Sequence, residues 1–297
     1  MKNYQVKKIK LSNNETLAYR EGGKGEDTVL FIHGNMSSSI HWETVMEKLE
    51  NDYRLISVDL RGFGDSTYNN GFNSLFELAS DVFDFATLLN LENIVVVGWS
   101  TGGGIAMELA IMNPDLVKKV ITIGSVPVTG YPLFKKDETG APILTEPLQT
   151  KEEIAADPVQ VLPVLDAYKT KNRNFLRLIL DHSLYIKGKP TEEEFEAYIT
   201  SALQQRNLVD VNYALMTFNL TDTPTLSGKP TGRINQLVTP VVMIQGALDP
   251  VVPLIWAKAS HEALNEKSKL IVIDDAAHAP MTDDLTGFID LLKRELI

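Results

Sequence analysis

The sequence predicts an α/β protein: a mostly parallel sheet flanked by helices and interrupted once by a long helical insert. Short apolar strands alternate with amphipathic helices as far as residue 123. The same alternation resumes after residue 240. Between the two lies a stretch that holds nine of the fourteen prolines and shows helical but no strand periodicity.

Residues 28–32, 55–58 and 94–97 read as buried strands, because their near-continuous apolar runs leave no polar face to solvent. Between them, 42–49 and 75–89 repeat apolar residues at helical spacing, and 101–112 follows the third strand directly as a helix. Residues 120–123 continue the series of strands, and 241–244 and 270–273 resume it, with helices expected at 254–264 and 285–292. The insert at 127–235, with helical stretches at 175–180 and 193–203 and no strand, is expected to form a helical cap on a core made of 1–126 and 236–297. A cap that leaves the sheet after one strand and returns before the next lies over the carboxyl edge, where open α/β sheets place their ligands.

A chain of 297 residues, 44% of them hydrophobic, can bury a substantial core. Its formal net charge of -11 disfavours nucleic acid and anionic membrane surfaces, both of which are bound through clustered Lys and Arg. The absence of cysteine excludes disulfides, thiolate metal sites and a cysteine nucleophile. The N-terminal residues carry lysines with no apolar stretch long enough for a signal peptide or membrane helix, so a cytoplasmic location without stable membrane insertion is expected.

The chemistry centres on Gly98-Trp99-Ser100-Thr101-Gly102, set between a buried strand and a helix. Gly-x-Ser-x-Gly in this context puts a serine on a tight strand-to-helix turn, where side chains at 98 and 102 would collide. The helix that follows directs its N-terminal amides at the site, which makes the Thr101 amide a candidate oxyanion donor. A second donor is expected from the loop after the first parallel strand, His33-Gly34-Asn35-Met36, with the Asn35 amide the choice and His33 bracing the loop.

A serine hydroxyl needs a base, and the base needs an orienting carboxylate. Of five histidines, His278 alone combines a late position with placement in a short loop after a strand. His261 falls within a helix, His182 within the insert, and His41 at the start of the first helix, where it reads as a surface residue. Asp249, just past the preceding strand, gives the order serine, acid, base. No carboxylate follows Ile123-Gly124, where an alternative acid would stand.

Taken together, His33-Gly34, Asp59-Leu60-Arg61-Gly62-Phe63-Gly64-Asp65-Ser66, Gly98-Trp99-Ser100-Thr101-Gly102-Gly103, Asp249 and His278 closely resemble the α/β-hydrolase superfamily, over both sheet segments but not the insert. The resemblance implies a mostly parallel sheet of about eight strands, with 5–10 and 16–20 as its first antiparallel pair. It also implies a structural turn at 59–66 and no need for a cofactor or metal. Relatives that use an aspartate nucleophile, the haloalkane dehalogenases and epoxide hydrolases, are set aside by Ser100. Trp99 is shared with some carboxylic-ester hydrolases, including pimeloyl-carrier methyl esterases and the intracellular polyhydroxybutyrate depolymerases of bacilli, the latter also similar in size.

The expected activity is cleavage of a small or oligomeric ester, lactone or thioester through an acyl-enzyme on Ser100. Two alternatives share these residues: perhydrolase or haloperoxidase-like chemistry with peroxide in place of water, and a slow-turnover ligand receptor that retains the triad. Acyl length, leaving group and oligomeric state are left open by the sequence.

Overall fold

The computed structural model describes residues 2–297. The chain begins with β1 (Val6–Lys10) and β2 (Thr16–Gly23), followed by β3 (Thr28–Ile32), α1 (Glu43–Leu49), β4 (Arg54–Val58), α2 (Leu75–Leu88), β5 (Ile94–Trp99), α3 (Thr101–Met112) and β6 (Val117–Ile123). An insert follows, comprising β7 (Phe134–Lys136), β8 (Pro142–Pro147), α4 (Lys151–Ala155), α5 (Leu162–Thr170), α6 (Arg173–Ser183), α7 (Glu192–Ala202) and α8 (Leu208–Thr217). The chain returns to the sheet with β9 (Val241–Gly246), α9 (Leu254–Leu264), β10 (Ser268–Ile273), α10 (Pro280–Asp283) and α11 (Leu285–Leu296).

Eight strands form one sheet in the order β1-β2-β4-β3-β5-β6-β9-β10. β2 pairs antiparallel with both β1 and β4, and the remaining neighbours are parallel. This is the α/β-hydrolase fold, and the expected strands fall where the apolar runs lie.

Alternation along the parallel strands explains why both faces are covered. Leu30, Ile32, Ile56, Val58, Val96 and Val120 pack with α2, α3 and α9 in one core. Their neighbours Val29, Phe31, Leu55, Val95, Val97 and Ile121 pack with α1 and α11 in the other. Each such side chain, once fully buried, contributes about 1.5–3 kcal/mol of transfer free energy, so a strand of this kind is stable only between two helical layers. Two of the covering helices start at side-chain caps: Ser74 accepts from the Glu77 amide at 3.3 Å on α2, and Asp284 from the Gly287 amide at 3.0 Å on α11.

The insert corrects one expectation, because it contains a strand pair as well as helices. β7 and β8 pair antiparallel around a turn at Asp137, whose Oδ1 accepts from the Thr139 and Ala141 amides at 2.8 and 3.0 Å. A three-residue strand is too short to show alternation, and β8 begins and ends in proline, which argues against a strand on sequence grounds.

Candidate active site

Ser100 sits between β5 and α3 with φ 55° and ψ −119°, a conformation that costs a non-glycine residue on the order of 1–3 kcal/mol. The turn that holds it is tight. A Cβ at Gly98 would stand 2.2 Å from the Gly102 carbonyl oxygen, and one at Gly102 would stand 2.3 Å from that of Ile32. The Ser100 amide donates to the Ile123 carbonyl at 2.9 Å, and its own carbonyl accepts from Gly103 and Val126 at 3.0 and 3.2 Å. The serine is therefore clamped between two strands and a helix, with Thr101 as the first residue of α3.

His278 and Asp249 come from the loops after β10 and β9 and meet at 2.8 Å, Nδ1 to Oδ2, both buried. A buried carboxylate requires donors, and Asp249 has four. Oδ2 accepts from the imidazole and from Gln245 Nε2 at 3.0 Å, and Oδ1 accepts from the Val251 and Val252 amides at 2.8 and 2.9 Å. Since Asp249 accepts at Nδ1, the Nδ1–H tautomer is selected and Nε2 is left as the basic nitrogen.

The loop after β3 carries Asn35. Met36 adopts φ 55°, and its amide donates to Asn35 Oδ1 at 2.9 Å and to Gln205 Oε1 at 3.2 Å. His33 has the bracing role read from the sequence. Its Nδ1 donates to the Gly34 carbonyl at 2.7 Å and its Nε2 accepts from the Leu60 amide at 3.1 Å. Burial holds its pKa down at about 4, against a weaker upward pull from Asp59, so it is neutral. The 59–66 turn is structural as expected, with Asp59 accepting from the Ser39 and Asp65 amides at 2.7 and 2.9 Å.

Gly34, Asn35, Ser100, Thr101 and His278 open onto one cavity of about 350 Å³. From the insert it receives Leu133, Val164, Ile179, Leu180, Leu208 and Leu215. No lysine, arginine, aspartate or glutamate lines it. Such a surface suits an uncharged, largely apolar ligand held by a few polar groups. Among the described residues, no cluster of three or more His, Asp or Glu is placed to hold a metal ion, and no helix is long and apolar enough to cross a membrane.

His41 is not the surface residue its position suggested. It is buried, stacked on Tyr198 of the insert at 4.1 Å, and burial lowers its pKa to about 3. The 3-10 turn at Ser39–Trp42 ahead of α1 turns its ring inward, and helical spacing alone could not reveal that. His182 lies in α6, and His261 in α9 pairs with Ser268 at 2.7 Å. Sequence reasoning missed Gln245, Gly124 and Gln205. A Cβ at Gly124, which has φ +48°, would stand 3.1 Å from both Asp249 Oδ2 and His278 Nδ1. Gln245 and Gly124 lie at the ends of β9 and β6, which was the one available signal, and Gln205, between two helices of the insert, gave none.

A family model described as the alpha/beta hydrolase fold matches residues 27–285, and the chain belongs to that family. The chain is 28% identical over 282 residues to a pimeloyl-[acyl-carrier protein] methyl ester esterase of Aliivibrio fischeri, covering 94% of this chain and 96% of that protein. It is 26% identical over 278 residues to an uncharacterized protein of Mycobacterium tuberculosis, covering 93% of this chain and 77% of the relative. Among solved structures, an esterase from Exiguobacterium antarcticum superposes with TM-score 0.75 at 20% identity, covering 98% of this chain and 99% of the other. A bromoperoxidase from Bacillus anthracis superposes with TM-score 0.71 at 22% identity, covering 98% and 99%.

Proposed function

We propose that the protein is a carboxylic-ester hydrolase acting through a Ser100, His278 and Asp249 triad, with the insert at 127–235 serving as a cap over the substrate. The observation that carries this reading is that His278, held by buried Asp249 at 2.8 Å, lines the same apolar cavity as a serine held in a strained turn. Strain of this kind persists only where the surroundings over-determine it.

In this reading Ser100 Oγ attacks the ester carbonyl while His278 Nε2 takes its proton. The negative charge that develops on the carbonyl oxygen falls to the amides of Thr101 and Asn35. The Met36 amide is already engaged by Asn35 Oδ1 and Gln205 Oε1. His278 then returns the proton to the departing alkoxide, which leaves as the alcohol, and an acyl-enzyme ester remains on Ser100. Water, deprotonated by the same imidazole, attacks that ester, and the acid departs as the serine is regenerated. Asp249 remains ionised and holds the imidazolium.

The absence of charged side chains in the cavity favours a neutral acyl group. Relatives named as methyl ester esterases support ester cleavage as the reaction. The test is hydrolysis of p-nitrophenyl esters, acetate through long acyl chains, by the wild type and Ser100→Ala at neutral pH. The reading expects turnover in the wild type and its loss in the variant. Equal turnover in both would remove it.

A further inference from the structure

The segment that joins α7 to α8 is tied to the 59–66 turn of the core by hydrogen bonds. The Arg206 amide donates to the Gly62 carbonyl at 2.9 Å, and Asn207 Nδ2 donates to the Arg61 carbonyl at 2.6 Å. Gln205, between them and the helix, is only 4% exposed, and all its polar capacity is spent inside the protein. Its Nε2 donates to Asn35 Oδ1 at 2.8 Å and to Asn207 Oδ1 at 2.9 Å. Its Oε1 accepts from the Met36 amide at 3.2 Å and from the Tyr168 hydroxyl at 2.9 Å. An amide N–H can only donate, so the Met36 contact fixes which end of the carboxamide is oxygen.

We propose that Gln205 is a positioning residue for the oxyanion loop, so that reaction at Ser100 requires the cap to be seated. The inference rests on the ester-hydrolase reading above. Met36 is held at a positive φ immediately after Asn35, and the peptide between them sets where the loop turns. Two of the groups that hold this turn, Asn35 Oδ1 and the Met36 amide, are bound by one buried side chain from the cap. If the cap lifts, Gln205 leaves with it, and the loop loses both bonds at once. An oxyanion donor acts through preorganisation, so loosening the loop weakens transition-state binding while leaving the apolar contacts that bind the substrate.

The test uses the full-length protein with a short p-nitrophenyl ester, comparing Gln205→Ala, Gln205→Glu, Asn35→Ala and the Gln205→Ala/Asn35→Ala double variant. Gln205→Glu preserves the size and the acceptor but removes the donors to Asn35 and Asn207. The expected result is a fall in kcat of roughly tenfold, short of the hundredfold or more lost with a whole donor. KM should stay within about twofold. The affinity of an alkyl boronic acid, which forms an anionic adduct on the serine, should fall in parallel with kcat. The loss in the double variant should be smaller than the product of the two single losses, because both substitutions remove the same bond from Gln205 Nε2 to Asn35 Oδ1.

Should Gln205→Ala not fold, Asn35→Ala cuts the same linkage from the core side and carries the test with Gln205→Glu. Wild-type kinetics in the folded variants, losses that appear only in KM, or multiplicative losses in the double variant would each overturn the positioning role while leaving the ester-hydrolase reading intact. A wild type that hydrolyses no ester would overturn that reading and this inference with it.

Discussion

Trp99 donates its indole N–H to the backbone carbonyl of His278 at 2.8 Å, so the residue just before the proposed nucleophile anchors the loop that bears the proposed base. The two rings lie 5.6 Å apart, and the Trp99 side chain is buried. The contact spans 179 positions of sequence and joins β5 to the end of the sheet's last loop.

Trp99→Phe keeps most of the ring and leaves the His278 carbonyl without its donor. An unsatisfied buried acceptor costs about 1–3 kcal/mol. The expected outcome is a lower denaturation midpoint together with a fall in kcat of about tenfold, read by urea unfolding and steady-state ester hydrolysis. An unchanged kcat would mean that this bond plays no part in holding the imidazole.

Gly124 stands beside the His278–Asp249 contact with φ +48°. In Gly124→Ala the new methyl group would press on both partners at 3.1 Å and strain the backbone by about 1–2 kcal/mol. The variant should fold but lose most of its activity. Gly98→Ala, whose methyl group meets backbone at 2.2 Å, should instead fail to accumulate as folded protein. Circular dichroism and ester hydrolysis on the two purified proteins distinguish the outcomes.

His33 and His41 are both buried and neutral, with pKa values lowered by burial to about 4 and about 3. An unfolded histidine titrates near 6.5. As the pH falls below about 6.5 the unfolded chain takes up protons that the folded chain does not, so stability declines through that window until the folded values are reached. Denaturation midpoints should drop between pH 7 and pH 5. His41→Phe, which keeps a ring against Tyr198 but cannot be protonated, should flatten that drop, whereas a slope equal to the wild type's would assign the effect elsewhere.

Tyr131 bounds the reactive cavity and meets Trp256 edge-on, with centroids 5.4 Å apart at 85°. Trp256 lines a second, apolar cavity of about 190 Å³ with Pro132, Met216 and Leu226. Tyr131→Ala should join the two spaces and move the preferred p-nitrophenyl ester to longer acyl chains, while Tyr131→Phe should keep the wild-type profile. The ratio of kcat/KM for a long ester to that for a short one reports the change.

The sheet was legible because its strands are covered on both faces and so read as continuous apolar runs, such as 28–32 and 94–97. Gly98, Ser100 and Gly102 stood out because a turn this tight admits few residue types. What the sequence hid is of two kinds. The β7–β8 pair is too short and too rich in proline to show a period. Trp99, Gln205 and Gly124 act through partners remote in the chain, and a hydrogen bond such as that from Gln205 to Asn35 leaves no local pattern. His41 belongs with these, since its burial depends on Tyr198 of the insert rather than on its own helix.

The central claim is that Ser100 is the nucleophile that becomes acylated. Intact-protein mass spectrometry after treatment with an alkyl fluorophosphonate tests it directly, because attack forms a bond from the nucleophilic oxygen to phosphorus and expels fluoride. The account predicts one adduct on the wild type, localised by peptide mapping to Ser100, and none on Ser100→Ala, with ester hydrolysis lost in step with labelling. An adduct on another residue, or undiminished hydrolysis by a fully labelled protein, would contradict it.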